Sequence, residues 1–181
     1  MLLYALLATL SHAGTPRCHV GHARRAVQPD CSHNALLLRG GDSGDDWKAA
    51  LQLAMQAQQD GNLEAAAAAY REAMALHESL RGAWPVLTNY GLSIQPTAPA
   101  EAAAAFRTVV ALVPDGADGY FNLGNALMDS GDLEGCVGAF ESCLALAPKD
   151  ADAYYNLGAA LLQMREPKRA LPAMTSAAAI A

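Results

Sequence analysis

From Trp47 onward, apolar and small residues recur at helical spacing in short runs that come in pairs, each pair broken by a turn signal. The pairing is plainest toward the end of the chain. Residues 117–150 and 151–181 align under one another at an offset of 34: Tyr120 with Tyr154, Phe121 with Tyr155, Asn122 with Asn156, Leu123-Gly124 with Leu157-Gly158, and Leu127 with Leu161. Ser130-Gly131-Asp132 breaks the first block and Arg165-Glu166-Pro167 the second, so each reads as helix, turn, helix. Self-similarity at one fixed period predicts a repeat architecture.

Two further units precede these. In residues 47–80, Gly61-Asn62 is the turn, and Leu53, Ala54, Ala66, Tyr70 and Ala73 hold the places that Leu123, Gly124, Cys136, Phe140 and Cys143 hold later. Residues 84–116 carry Asn89-Tyr90-Gly91 where the later units have Asn-Leu-Gly, and Pro114 closes the unit. This second unit is one residue short. The deletion falls near Pro96–Pro99, and Pro99 is expected to open the second helix, where a missing N–H costs nothing. Arg39–Asp46 reads as a linker whose last aspartates suit a helix start.

A 34-residue unit with an aromatic opening its first helix, then Asn-Leu-Gly, Gly-Asp at the turn, Phe140 in the second helix and Pro148 after it resembles the tetratricopeptide repeat. The physics supports each position. Gly124 and Gly158 sit where paired helices cross closely, Cys136, Cys143, Ala170 and Ala177 take the other close-contact places, and Leu123, Leu127 and Phe140 fill the space between. In the last unit Pro172 falls inside the second helix, where proline costs about 3 kcal/mol and is expected to kink or delay it. The fold expected is an all-α, TPR-type solenoid of antiparallel helix pairs, about eight helices in four units, after a disordered leader.

The 181 residues suit one modest repeat domain. Hydrophobic content is 52%, much of it alanine, so stability has to come from many stacked interfaces and not from one large core. With 12 basic and 18 acidic residues the formal charge is −6, which does not invite nucleic-acid phosphates.

The leader, residues 1–45, opens on an apolar run from Leu2 to Leu10, followed by Ser11 and Ala13. No Lys or Arg precedes the run, and it is too short to span a membrane as a helix. Arg17, Arg24 and Arg25 follow, with no acidic residue before Asp30. A cleaved signal peptide, an organelle transit peptide and an unprocessed leader all remain open, with an intracellular location favoured. Cys18, His19, His22, Cys31 and His33 are chemically able to hold zinc, but their spacing matches no common zinc module, so no metal is expected. Cys136 and Cys143 stand seven apart on one helix, about 10 Å by helical rise, too far to bond.

The resemblance implies that the first helices of the units line a concave groove. Asn89, Asn122 and Asn156 would stand there at equivalent positions, with Gln52 in the first unit and Asn125 one turn along from Asn122. An amide offers both donor and acceptor, so such a ladder can pair with the backbone of an extended peptide. The arm of O-linked N-acetylglucosamine transferase looks similar. Bracing of neighbouring repeats is the competing role for these asparagines. Phe121 and Tyr155 would add an aromatic patch, equally open to a packing role between repeats. Leu51, Thr88, Phe121 and Tyr155 stand where the family's carboxylate-gripping members would want lysine, so that type of co-chaperone is not expected.

No catalytic set is visible in residues 47–181. The single histidine there, His77, lies near a helix end and suits the helix dipole better than a base. The expected function is a protein-interaction scaffold binding an extended segment of a protein or peptide partner, with no enzyme activity, cofactor, nucleic acid or stable membrane span. The last unit stops short at Ala181 without a polar capping helix. That leaves two further expectations: a fragment serving as the non-catalytic recruiting arm of a glycosyltransferase-like enzyme, and self-association through the uncapped face.

Overall fold

The computed structural model describes residues 46–180. The leader readings, the Cys18–His33 cluster and Ala181 lie outside that range. Within it stand eight α-helices: α1 Asp46–Gln59, α2 Leu63–Leu76, α3 Trp84–Ile94, α4 Pro99–Leu112, α5 Ala117–Ser130, α6 Leu133–Leu146, α7 Ala151–Gln163 and α8 Pro167–Ile180. Each packs on the next in sequence, giving successive antiparallel pairs. The described residues form an all-α repeat solenoid.

Local chemistry sets the boundaries. Gly61 and Gly131 turn the chain with φ of +75° and +84°, a conformation a Cβ disfavours. Asn62 Oδ1 and Asp132 Oδ1 then accept from the N–H groups of Ala65 and Gly135, capping α2 and α6. Asp150 caps α7 the same way through Ala153. α4 opens on Pro99, as the sequence reading expects.

The core runs along the seam between paired helices. A Cβ on Gly124 would come within 2.8 Å of Phe140 Cζ, and one on Gly91 equally close to Phe106 Cζ, so each glycine lets a phenylalanine ring lie against helix backbone. Tyr70, Phe106, Phe121 and Phe140 are completely buried, each worth about 1.5–3 kcal/mol of transfer free energy. Cys136 and Cys143 are buried as free thiols, filling the small places assigned to them.

Three details depart from expectation. Pro172 does not delay α8, which starts at Pro167 and runs through it. Its ring is on the exposed side, where the carbonyl it leaves unbonded can meet water. Leu53 is 59% exposed, although its equivalent Leu123 is buried. The reason shows at Tyr90, the matching residue of the next unit, which packs against Arg71 of the preceding α2; among the described residues no helix precedes α1 to cover Leu53. Finally, the connector after α2 forms a 3-10 turn, Glu78–Gly82, that inserts fully buried Leu80. Beside it, Trp47 and His77 bring their rings to 4.7 Å between centroids.

Candidate functional site

The predicted groove residues all lie on the first helix of each pair, but they divide into three groups. Gln52 on α1 and Tyr155 on α7 are exposed. Phe121 is fully buried, edge-on to Phe140 with centroids 5.8 Å apart, which places it in the core. Asn89, Asn122, Asn125 and Asn156 are buried polar side chains.

Buried amides need partners. Asn156 finds one: its Nδ2 donates to Asn125 Oδ1 at 3.0 Å, from α7 to α5. Asn89 is half satisfied. Its side chain hydrogen-bonds Tyr70, whose own hydroxyl donates to Gln58 Oε1 at 2.9 Å, so α1, α2 and α3 are tied through one phenol. Burial pushes Tyr70 up to about 12, partly offset by the Asn89 bond. Asn89 Oδ1, however, is buried with no hydrogen-bond partner.

Other polar contacts escape a reading by motif. Gln95 Nε2 donates to Asp129 Oδ2 at 2.7 Å, 34 residues away; the repeat period itself is the signal that could have paired them. Tyr90 donates to Glu101 and accepts from Arg71 Nε at 2.8 Å, joining α2, α3 and α4. The Tyr90 bond, supported by Arg71, holds Glu101 below the usual carboxylate range, while Tyr90 itself is raised, chiefly by burial. Arg107–Asp132 and Arg169–Glu141 continue a line of ion pairs between second helices. All are about half exposed and contribute little each.

Among the described residues no three metal-ligating side chains converge. Cys136 is pushed up to about 12, first by burial and then by Asp132 and Asp129, which leaves it an inert thiol at neutral pH. No described helix is long and apolar enough to cross a membrane.

A tetratricopeptide repeat model matches residues 99–135, and a second TPR repeat model matches residues 124–164. Together the two models cover residues 99–164, a little over a third of the chain. The repeat array is also similar in fold to a crystal structure of MamA protein, with 22% identity and a TM-score of 0.68 over 76% of this chain and 74% of that one. MamA 41-end from Desulfovibrio magneticus RS-1 matches with 19% identity and a TM-score of 0.69, over 75% and 76% of the two chains. No curated protein matches the chain.

Proposed function

We propose that residues 47–181 form one tetratricopeptide domain of four units, 47–80, 84–116, 117–150 and 151–181, serving as a non-catalytic scaffold. Its ligand is an extended segment of a protein partner, laid across the face of α1, α3, α5 and α7. The observation that carries this reading is Asn89: a buried amide oxygen lacking a donor is costly, by about 1–3 kcal/mol, and a backbone N–H of a bound strand would relieve that cost. Gln52 and Tyr155 are the accessible contacts at either side of it. Phe121 acts from beneath as support, and Asn125 with Asn156 braces the repeats that hold the face in register; Asn122 belongs to the same ladder.

The test uses a randomised peptide library selected against the full chain. Peptides should be recovered whose binding falls about tenfold on Asn89→Ala, the loss expected for one hydrogen bond of about 1.4 kcal/mol. Arg107→Ala, on the second-helix layer, should leave binding unchanged. Failure to recover any peptide, or equal binding by Asn89→Ala with its melting transition intact, would sink the proposal.

A further inference from the structure

Each first helix after α1 presents one stripe of side chains to the second helix of the unit before it. On α3 the stripe is Val86, Tyr90 and Ser93, and on α7 it is Ala153, Leu157 and Ala160; all six are buried. The contacts that bury it keep one register. Arg71, the ninth residue of α2, lies over the Tyr90 ring at 5.5 Å, and a Cβ on Gly119 of α5 would come within 3.1 Å of Val110 Cγ1, the twelfth residue of α4. The second helices answer with a stripe of their own, whose fifth residues Ala67, Ala103 and Val137 are buried.

Both stripes lie open at the ends of the described array. On α1 the matching residues Ala49, Leu53 and Gln56 are exposed, and on α8 the fifth, ninth and twelfth residues, Leu171, Thr175 and Ala178, are exposed as well. Leu53 and Leu171, at 59% and 57%, are the two most exposed large apolar side chains among the described residues.

We infer that these two ends dock on one another, the α8 end of one copy of this chain against the α1 end of the next. The contact repeats the junction that α2 makes with α3, α4 with α5 and α6 with α7. In that register Ala178 meets Ala49, small against small, while Thr175 lies over Leu53 and Leu171 packs beside Leu53 and Gln56. Burying the two leucines supplies the driving force. The charges also fit. Arg71, Arg107 and Glu141 hold the ninth place of the earlier second helices, each paired with an opposite charge at the following second helix, Glu101, Asp132 and Arg169. α8 has Thr175 in that place, and α2 has Ala65 where α4 has Glu101 and α8 has Arg169, so these positions bring no unpaired charge into the contact.

Such a contact joins two different surfaces, so every assembly keeps one free α1 end and one free α8 end and extends into a row. It uses the ends of the array and not the face on which a partner segment is proposed to lie, so it stands apart from that reading.

The test is sedimentation velocity on the full chain, with reductant present, between roughly 1 and 200 µM. The weight-average mass should climb with concentration and pass that of a dimer. Leu53→Asp and Leu171→Asp each alter an exposed residue, should keep their helicity by circular dichroism, and should each weaken association at least tenfold. Mixed one to one, the two variants should form a dimer and stop there, because each pair retains a single intact α1 end and a single intact α8 end. A parent chain that stays monomeric throughout overturns the proposal, as does growth that levels off at a dimer. Association that persists in either variant overturns it too, assigning the contact to a symmetric pairing of one end or to residues outside the array, and so does a mixture that yields no dimer. Ala49→Arg and Ala178→Arg repeat the pair in case an aspartate perturbs its helix.

Discussion

Asn156 Nδ2 donates to Asn125 Oδ1 at 3.0 Å across the junction of two repeats, and both side chains are buried. The bond links α7 to α5 directly. Replacing either residue by Ala strands a polar group in the interior, at about 1–3 kcal/mol. The double replacement should cost less than the sum of the singles, by roughly 0.5–2 kcal/mol. Urea unfolding of the four proteins of the cycle measures this directly, and strict additivity would mean that the bond contributes nothing to coupling α5 to α7.

Three glycines, one from each of α5, α6 and α7, should respond differently to a methyl group. Gly124→Ala drives a Cβ to 2.8 Å from the rigid Phe140 ring and should destabilise by about 1–3 kcal/mol. Gly158→Ala meets Met174 Cγ at 2.6 Å, but a methionine can change rotamer, so a smaller loss is expected. Gly138 has nothing within 4 Å of the added carbon and lies inside α6, so Ala there should stabilise by about 0.5–1 kcal/mol. Chemical denaturation ranks the three; a Gly124→Ala chain as stable as Gly138→Ala would contradict the helix-crossing account.

Those glycines also show how far the chain is legible before its structure. Gly124 and Phe140 are readable because a fixed period superimposes them on Gly158 and Met174, and a close helix crossing needs a small residue opposite a large one. Leu53 misleads for the same reason: the period assigns it a core place, but burial depends on a neighbouring helix that nothing described supplies. Phe121 shows the limit for the site. An aromatic one repeat from Tyr155 looks like the same surface patch, and only packing decides that one is core and the other exposed. Leu80 had no signal in the period at all, since it sits in a connector unique to the first unit.

Alkaline pH should unfold this chain in a defined window. Tyr70 and Cys136 both have folded-state values raised to about 12, from ordinary values of 10 and 9. A raised folded value means the stabilisation is fully present below the unfolded value and is lost as pH rises through the folded one. Stability should therefore hold to about pH 9 and then fall toward pH 12, with Tyr70 alone accounting for on the order of 3 kcal/mol. Tyr70→Phe should be less stable at pH 8, because Gln58 and Asn89 lose their shared hydroxyl, yet its decline above pH 10 should be shallower. Urea midpoints at pH 8, 10 and 11.5 separate the two effects, and parallel decline in both proteins would remove Tyr70 from the account.

Arg165 occupies the place that Gly131 holds one repeat earlier, and it takes the same left-handed turn, with φ of 62° against 84°. A side chain in that region crowds its own carbonyl and costs about 1–2 kcal/mol, which glycine avoids. Arg165→Gly gives back part of this gain through the larger entropy of its unfolded chain, leaving about 1 kcal/mol of net stabilisation. Arg165→Ala retains the Cβ and should gain nothing, and Gly131→Ala should lose about 1 kcal/mol. Thermal unfolding resolves these differences, since 1 kcal/mol moves the midpoint of a domain this size by about 2–4 °C or somewhat more. An Arg165→Gly chain that melts no higher than the parent would show that the turn is held at no cost by contacts of the arginine itself.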